Sequence, residues 1–412
     1  MQGRHLLVIG AMWVVALGAV TFLVLQEERT PAAGGRRVET APTHRHDAAA
    51  APRRATLPPV GADDESPRAF RGGRRHTGRS PFRGPSSGRV AWRVDAGGRV
   101  TAQPIRAPGD RVVVGSHAGR LLNLDLAGNV RWVVEDLGAI WSAAAVDADG
   151  GLVVASDAEA ILAFRADGGP RWRLGTGTAA ETAVTVGPDG DLHLAAGSQL
   201  LRLAADGTPR WRFLCRSGVL GAPAVDADGT VYVGDQSGTV HAVAPDGRPR
   251  WTVRTGRAYD TGVTIGDGGL LHLGSDDHHV VGITRAGEVR WRTDVGGIVR
   301  APLALDRDGG IIASVYGPSP RIVRLDAEDG AVTWSYALTR QETGSDSGPV
   351  VDGEGAIYVG GGDGFVYGLT ADGQLRWITE IGAPVEGTPL LAADGLLLVG
   401  SEQGTVTAVG RR

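Results

Sequence analysis

The sequence predicts an all-β fold, an eight-bladed β-propeller built from four-stranded antiparallel blades. Tryptophan recurs at near-constant spacing over most of the chain, and each interval contains four short apolar runs separated by glycine turns. The 412 residues include 64 glycines without a collagen-like period, so the chain must turn back on itself often. Four-stranded sheets repeated around an axis form a propeller.

Eight tryptophans mark the repeat, and neighbouring ones are 39 to 43 residues apart. A large, rigid, apolar ring once in each blade can seal one sheet against the next. We therefore expect these side chains to lie between neighbouring blades. They are Trp92, Trp132, Trp172, Trp211, Trp251, Trp291, Trp334 and Trp377.

The interval 222–253 shows what each blade contains. An apolar strand at 222–225 is followed by a DADG turn and a second strand, TVYVG. A third strand covers 239–243, and the tryptophan strand PRWTV is the fourth. Asp and Gly suit such turns, because Asp hydrogen-bonds the local backbone and Gly adopts positive φ. The Asp-x-Asp-Gly turns are therefore interpreted as structural and no metal site is predicted, although the sequence alone leaves calcium open.

The first and last strands predict how the ring closes. The repeat begins on a tryptophan strand at 89–94 and ends on a third strand at 405–409. Pairing these two strands completes the eighth blade and removes an exposed sheet edge. The propeller domain is therefore expected to span residues 89–412.

Residues 1–28 are expected to form a membrane anchor. The uncharged apolar run from Leu6 to Leu25 would rise about 30 Å as a helix, enough to cross a bilayer. A cleaved signal peptide is the alternative, because Ala16-Leu17-Gly18 resembles a small-x-small cleavage site. The apolar run continues beyond that site, which favours a single-pass transmembrane helix. Arginines on both flanks leave its orientation open.

Residues 29–88 are expected to form a disordered linker. They are rich in Arg, Pro and Gly and contain almost no large apolar side chains, so they cannot bury enough surface to offset the entropy of ordering. The linker is basic and the remainder acidic, for a net charge of −4. A basic segment can lie on anionic lipid or remain solvated, and no nucleic-acid partner is expected.

The pattern VYVG…(S/D)…G…V.A(V/L)..DG...W resembles the pyrroloquinoline-quinone (PQQ) propeller repeat. This repeat occurs in quinoprotein dehydrogenases and in the outer-membrane assembly lipoprotein BamB, to which the chain is distantly similar. LDAEDGAVTW at 325–334 matches the family's repeat ending in length, whereas the other blades are one residue shorter. The resemblance implies a propeller outside the cytoplasm. With the anchor, it implies a bacterial inner-membrane protein with a periplasmic propeller.

The resemblance does not extend to the residues of a PQQ enzyme. Such an enzyme would be expected to have adjacent cysteines, a set of calcium ligands, a catalytic Asp and long insertions around its pocket. This chain has Cys215 alone and blades of nearly constant length, and it lacks the C-x-x-C-H haem signature. We therefore predict no enzymatic activity, no catalytic residues and no cofactor. A degenerate PQQ-dependent oxidoreductase is the weaker alternative.

Candidate binding residues are found where the blades differ. Residues that precede the innermost strands should ring one mouth of the central channel, and convergent charges there can form a ligand or partner site. Simple polar lining of a wet channel is the structural alternative. The aligned positions are Thr101, Trp141, Glu181, Leu220, Asp260, Val299, Asp346 and Glu386, with Arg300 nearby. The candidate site residues are Trp141, Glu181, Asp260, Arg300, Asp346 and Glu386.

Together these features predict a non-enzymatic, membrane-anchored scaffold that binds a protein or polymer partner at the cell envelope. The long loop at 338–347 is the expected outer surface for a partner. A ligand-sensing or carbohydrate-binding propeller that uses the acidic mouth is the alternative.

Overall fold

The computed structural model describes residues 66, 68–338 and 346–411, together with the backbone of a short strand at Arg37–Val38. Eight antiparallel sheets form the eight blades, so the predicted all-β propeller is confirmed. The predicted anchor at 1–28 lies outside the described residues. Within them, no helix has the length and apolar character needed to cross a membrane.

Each blade has a first strand at the central channel, followed outward by a second, third and fourth strand. The first strands are Ile105–Ala107, Ala145–Val146, Thr185–Val186, Ala224–Val225, Thr264–Ile265, Ala304–Leu305, Val350–Val351 and Leu390–Ala393. The second strands are Arg111–Gly115, Leu152–Ser156, Leu192–Ala196, Val231–Gly234, Leu271–Gly274, Ile311–Val315, Ile357–Gly360 and Leu396–Gly400. The third strands are Leu121–Asp125, Ala160–Phe164, Gln199–Leu203, Thr239–Val243, His279–Ile283, Arg321–Leu325, Phe365–Leu369 and Thr405–Gly410. The fourth strands are Val130–Val134, Pro170–Gly175, Pro209–Leu214, Pro249–Arg254, Val289–Asp294, Val332–Ala337, Leu375–Glu380 and Val90–Asp95.

Burial follows this order from channel to rim. The second strands are rich in Val, Leu, Ile and Ala and are buried on both faces, because each sheet packs between two others. The fourth strands alternate exposed and half-buried side chains, as in PRWTVR at 249–254. Blade 1 carries a fifth, outermost strand, where Arg37–Val38 pairs with Val133 and Val134. A register shift just before each tryptophan bends the fourth strand toward its neighbour.

The tryptophans join neighbouring blades, as the spacing predicts. Seven indoles lie against the glycine of the turn between the third and fourth strands of the next blade, and Trp377 lies beside Gly88, just before the closing strand. A Cβ on Gly247, for example, would lie 2.8 Å from Trp211 Cγ. Seven of the eight indole N–H groups donate to a carbonyl in that turn or its equivalent. The pairs are Trp92–Leu126, Trp132–Ala166, Trp172–Ala205, Trp211–Pro245, Trp251–Arg285, Trp291–Ala327 and Trp377–Pro85.

The N-terminal strand closes the ring. Val90–Asp95 pairs antiparallel with Thr405–Gly410, in register from Val90 opposite Val409 to Asp95 opposite Thr405. The eighth blade has no covalent turn between these strands. Instead, Pro85 accepts the hydrogen bond of Trp377 at 3.1 Å, so the segment before the closing strand replaces that turn.

The Asp-x-Asp-Gly turns are held by their own carboxylates. Asp306 Oδ1 accepts hydrogen bonds from the backbone N–H groups of Asp308 at 2.9 Å and Gly310 at 2.7 Å. Its second oxygen bonds Arg324 of the third strand. These oxygens therefore already have partners, which agrees with the structural interpretation of the turns.

The expected disordered linker does not extend to residue 88, because residues 68–83 enter the central channel. We call this segment the plug. First-strand N–H groups of five blades donate to its backbone carbonyls. The pairs are Val146 to Arg68, Val225 to Arg74, Ile265 to Arg75, Leu305 to Thr77 and Val351 to Gly78, at 2.7 to 3.3 Å. The first strands would otherwise present unpaired N–H groups to the channel, and the plug satisfies them.

Two titratable side chains of the plug, Arg71 and His76, are almost completely buried. Arg71 Nη1 donates to the Pro349 carbonyl at 2.6 Å, and Nη2 to that of Leu303. Burial lowers the pKa of Arg71 to about 9. His76 Nδ1 lies 3.1 Å from the Val263 carbonyl, and burial lowers the pKa of His76 to about 3, so its ring is neutral at physiological pH. Polar hydrogen bonding thus orders a segment whose composition predicted disorder.

We expect Trp132→Ala to lower the free energy of unfolding by about 3–5 kcal/mol, because this indole is only 3% exposed and seals two blades. Trp132→Phe should lose less, since it keeps a ring in the interface. Chemical denaturation measures both. The control is Trp141→Ala, at an indole that is 42% exposed. Equal losses at positions 132 and 141 would contradict the sealing role.

The plug can be tested at Gly78, which has φ +67°. A Cβ there would clash with the Arg71 guanidinium and lie 2.8 Å from Ala304 Cβ. Gly109 has φ +77° with nothing near its Cβ position, so Gly109→Ala measures backbone strain alone, about 1–2 kcal/mol. Gly78→Ala should cost about 1–3 kcal/mol more and should accelerate trypsin cleavage at Arg74 and Arg75. Equal stability and equal cleavage of the two variants would show that the plug is not packed as described.

Candidate functional site

One residue from each blade lies at one mouth of the channel. In every blade it sits four positions before the start of the first strand, in the loop that comes from the preceding fourth strand. The direction of the first strands puts these loops at the end of the channel opposite the Asp-x-Asp-Gly turns. We call these eight residues the mouth ring: Thr101, Trp141, Glu181, Leu220, Asp260, Arg300, Asp346 and Glu386.

The alignment of the sixth blade was wrong by one residue. It placed Val299 in the ring, but Ala304 pairs with Ile312 just as Ala224 pairs with Tyr232 in the fourth blade. The ring position is therefore Arg300. Val299 is fully buried in the core beside Gly274. The blades are aligned on the proline that precedes the first strand in several of them. Pro302 stands one residue further from its strand than the prolines of the other blades do.

The mouth ring opens into a cavity of about 160 Å³, which we call the mouth cup. Five of the six sequence-predicted site residues line it, and the sixth, Arg300, stands beside them. A second layer lies two residues further along each loop. It is mostly small because eight strands converge there: Gln103, Ala143, Ala183, Ala222, Gly262, Pro302 and Thr388 line the cup. Phe70 of the plug also lines it, so the plug forms the base of the cup.

Arg300 braces one side of the ring. Its guanidinium forms a bidentate pair with Asp276, with Nε–Oδ1 and Nη2–Oδ2 distances of 3.0 Å. Arg300 Nε also lies 3.5 Å from Asp260 Oδ2. These carboxylates raise the pKa of Arg300 above its usual range. Gln236 Nε2 donates to Asp260 Oδ1 at 2.8 Å, which further fixes this carboxylate.

Glu386 lies in a crowded acidic corner on the other side of the ring. Arg99 Nη2 is 3.6 Å from Glu386 Oε2 and also bonds Glu402. Burial, followed by the negative charge of Glu402, raises the pKa of Glu386 to about 7. Burial also raises the pKa of Asp346, against the attraction of Arg300. Asp346 Oδ1 is buried and has no hydrogen-bond partner among the described residues.

The ring also has an apolar side, formed by Trp141 and Leu220, each 42% exposed. The Trp141 ring lies against His117, with centroids 3.9 Å apart and planes inclined by 43°. His117 Nε2 is 2.7 Å from Thr101 Oγ1, which donates to the Trp141 carbonyl at 3.3 Å. Burial lowers the pKa of His117, so this support is neutral. Trp141 is therefore held in place while one face remains available.

Sequence reasoning missed the second layer and the base of the cup. Gln103 Nε2 donates to the Pro389 carbonyl and its oxygen accepts from Arg71 N, which links the cup to the plug. The one sequence signal for this layer is that each of its residues stands two positions after a mouth-ring residue. The predicted partner loop at 338–347 lies largely outside the described residues, since 339–345 are not described.

The chain matches the model of one protein family, described as outer membrane protein assembly factor BamB, over residues 84–185 and 236–412. That is more than half of the chain. The chain belongs to the BamB family. No curated protein matches it.

Solved structures share the fold. BamB from Moraxella catarrhalis is 19% identical with a TM-score of 0.66, and the match covers 78% of this chain and 99% of that one. A europium-containing methanol dehydrogenase is 14% identical with a TM-score of 0.72, covering 83% and 91%. A quinohemoprotein alcohol dehydrogenase from Comamonas testosteroni is 13% identical with a TM-score of 0.68, covering 84% and 81%. At such low identities, these likenesses show the fold alone.

The mouth cup does not suit the quinone of the dehydrogenases. PQQ is a tricarboxylate and would bring negative charge to a ring whose carboxylates already outnumber its guanidiniums. Arg300 and Arg99 are both engaged by acidic side chains. Among the described residues, no three His, Cys, Asp or Glu side chains are grouped closely enough to hold a metal ion. The residues that line the mouth cup therefore do not fit a calcium–quinone pair.

We expect Glu386 to titrate near pH 7, well above its ordinary value of 4.5. Glu402→Gln should lower the pKa of Glu386, because it removes a like charge. Arg99→Gln should raise it, because it removes the nearby cation. Carbon-detected NMR of labelled glutamates measures the titration, with Glu386→Gln for assignment. A Glu386 midpoint near 4.5 in the native chain would show that burial and Glu402 do not act on it as described.

Proposed function

We propose that the protein is a non-enzymatic scaffold, held at the membrane by its N-terminal segment, that docks a partner protein on the mouth ring in the periplasm. Membership of the BamB family supports a protein-binding role in coarse terms. The observation that carries the proposal is the mouth cup itself. The chain's own plug closes one end of the channel, and the other end presents convergent charges beside exposed apolar side chains.

The mouth ring has the composition of a docking surface. Trp141 and Leu220 offer exposed apolar area, and buried aromatic anchors supply much of the binding energy at protein interfaces. Carboxylates beside them favour a partner with complementary positive charge and speed its encounter. The ring stands on loops fixed by the first strands, so the surface is rigid and loses little entropy on binding.

The interior offers little support for an enzyme. Burial raises the pKa of the single cysteine, Cys215, to about 12, so its thiol does not ionise near neutral pH. Burial lowers the pKa of His193 to about 3 and that of His272 to about 4, and both lie beside tryptophans in the core. These groups fit packing roles better than proton transfer.

The chain contains no lysine, and this makes a selective capture experiment possible. A carbodiimide joins activated carboxylates to primary amines, and no lysine side chain within this chain can compete. Amide cross-links from the full-length chain in its own membranes should therefore form mainly with another molecule. We expect a discrete cross-linked partner whose yield falls several-fold when Trp141→Ala is combined with Leu220→Ser.

The cross-linking control is Glu328→Gln, which changes an exposed carboxylate in a turn away from the mouth ring. Its yield should equal that of the unchanged chain. An adduct that survives the Trp141 and Leu220 changes, but disappears when residues 339–345 of the long loop are replaced by a short glycine linker, would move the docking surface to that loop. Loss of every adduct in the Glu328→Gln control would show that the capture reports surface carboxylates in general.

A further inference from the structure

Two polar groups in the mouth cup lack partners among the described residues. Asp346 Oδ1 is buried without a hydrogen bond. Ser142 also lines the cup, and its buried Oγ likewise has no hydrogen-bond partner among the described residues. Thr388 is a further polar residue of the lining and is only 6% exposed. Buried polar groups in folded proteins are nearly always hydrogen-bonded. A carboxylate oxygen and a hydroxyl that face one small cavity therefore indicate a missing donor.

The loops that carry Asp346 and Thr388 are fixed to each other. Ser347 Oγ donates to the Gly387 carbonyl at 3.0 Å and accepts from Gly360 N at 3.0 Å. These bonds join the residue after Asp346 to the residue before Thr388. Gly348 lies between them, and a Cβ there would be 2.7 Å from Thr388 Oγ1. The two acceptors are thus preorganised, and the glycine keeps the space beside the hydroxyl open.

We propose that the mouth cup is a receptor for one cationic side chain, the guanidinium or ammonium group of an arginine or lysine on the docked partner. This inference rests on the proposed scaffold function and names the chemical group of the partner that the scaffold binds. Asp346 Oδ1 and the Thr388 hydroxyl accept hydrogen bonds from the cation, and Trp141 offers an aromatic face within the same cup.

The charge around the cup favours a cation over a neutral or anionic ligand. Six carboxylates surround it, from Glu181, Asp260, Asp276, Asp346, Glu386 and Glu402. Two guanidiniums, Arg99 and Arg300, are each held between pairs of these carboxylates. The excess is negative, and it raises the pKa of Glu386 as well as disfavouring an anion. An incoming cation would relieve this repulsion.

The spacing of the acidic groups favours an organic cation over a metal ion. A calcium site needs six to eight oxygens within about 2.3–2.6 Å of the ion. No cluster of three acidic or histidine side chains in the described part of the chain is tight enough for this. Hydrogen bonds from guanidinium or ammonium N–H groups span longer distances of about 2.7–2.9 Å and tolerate dispersed acceptors.

The size of the cup limits the ligand to about one side chain. A cavity of about 150 Å³ accommodates a benzene molecule, so about 160 Å³ accepts a planar guanidinium with part of its aliphatic stem. Ala143, Ala183 and Ala222 form an apolar wall for the methylenes, and Phe70 forms the base. Long cationic side chains pack their stems on such surfaces while their charged ends reach polar groups.

The test uses Nα-acetyl-arginine amide and Nα-acetyl-lysine amide as probes, with the neutral isostere Nα-acetyl-citrulline amide as the matched ligand control. Calorimetric titration into the full-length chain should show binding of one or both cationic probes. The citrulline probe should bind about ten-fold or more weakly, because it lacks the charge. Equal binding of all three probes would overturn the inference, as would binding of calcium chloride at the same residues without either amino-acid probe.

Variants then locate the site. Asp346→Asn should weaken the cationic probe about ten-fold or more, and the near-isosteric Thr388→Val about two- to ten-fold. Glu328→Gln, remote from the cup, should leave affinity unchanged. Thermal denaturation checks that each variant is folded. Unchanged affinity in folded Asp346→Asn would show that the cup does not hold the cation.

Affinity for the arginine probe should rise between pH 6 and pH 8. Glu386 titrates in this window, and the groups that act on it are Glu402, Asp346 and Arg99. Burial lowers the pKa of His117, which contacts Trp141, so protonation of its ring is disfavoured. Each proton lost adds negative charge to the cup, while the guanidinium remains charged. Glu386→Gln should flatten this dependence, and a pH profile that survives the substitution would remove Glu386 from the receptor.

The cation receptor and the scaffold can fail separately. If Asp346→Asn abolishes probe binding but leaves the yield of the cross-linked partner unchanged, the scaffold proposal is supported and the partner is not held through a cation in the cup. If probe binding follows the expected pattern but no partner is captured in a mouth-dependent way, the cup binds cations and the docking role is wrong.

Discussion

The structure depends on the hydrogen bonds made by the backbone groups on the channel-facing edge of the innermost strand in each blade. A sheet edge carries unpaired N–H and carbonyl groups, and eight such edges converge on one narrow channel. The plug pairs with five of them through its backbone carbonyls, and the Arg71 guanidinium donates to two carbonyls of the blades, those of Leu303 and Pro349. The residues that follow the plug then supply Pro85 as the acceptor of Trp377 and enter the closing strand. One stretch of chain therefore fills the channel and completes the ring.

Much of this fold could be predicted because its signal repeats. Tryptophans that recur every 39 to 43 residues require a repeated interface, and the glycine turns that receive them follow from the same interval. The mouth ring was also accessible, since loops before equivalent strands must converge on the axis. The sixth blade was misaligned because Pro302 stands one residue early, and only the pairing of Ala304 with Ile312 shows that Arg300 is the ring residue.

The plug could not be predicted from composition, for a physical reason. Composition reports how much apolar surface a segment can bury, and residues 68–83 bury little. Their order comes from hydrogen bonds between plug carbonyls and first strands, and from guanidiniums such as those of Arg75 and Arg79 that pair with Asp267. Such partners come from distant blades and leave no local pattern. The unpartnered Asp346 Oδ1 could not be predicted for the same reason, because hydrogen-bond partners are set only in the assembled cup.

The division between repeated and variable residues locates the chemistry of this propeller. Tryptophans and the glycines that receive them are constrained by packing between the blades, so substitutions there destabilise the fold. Ring side chains project from loops into open space, so each blade can carry a different one. The second layer differs from both groups, because the convergence of the strands on the axis keeps its residues small. A polar residue at this depth, such as Thr388, destabilises the fold unless its hydroxyl is hydrogen-bonded. With Phe70 fixing the depth of the cup, the molecule is suited to grip a single side chain and leave the remainder of a partner to the surrounding loops.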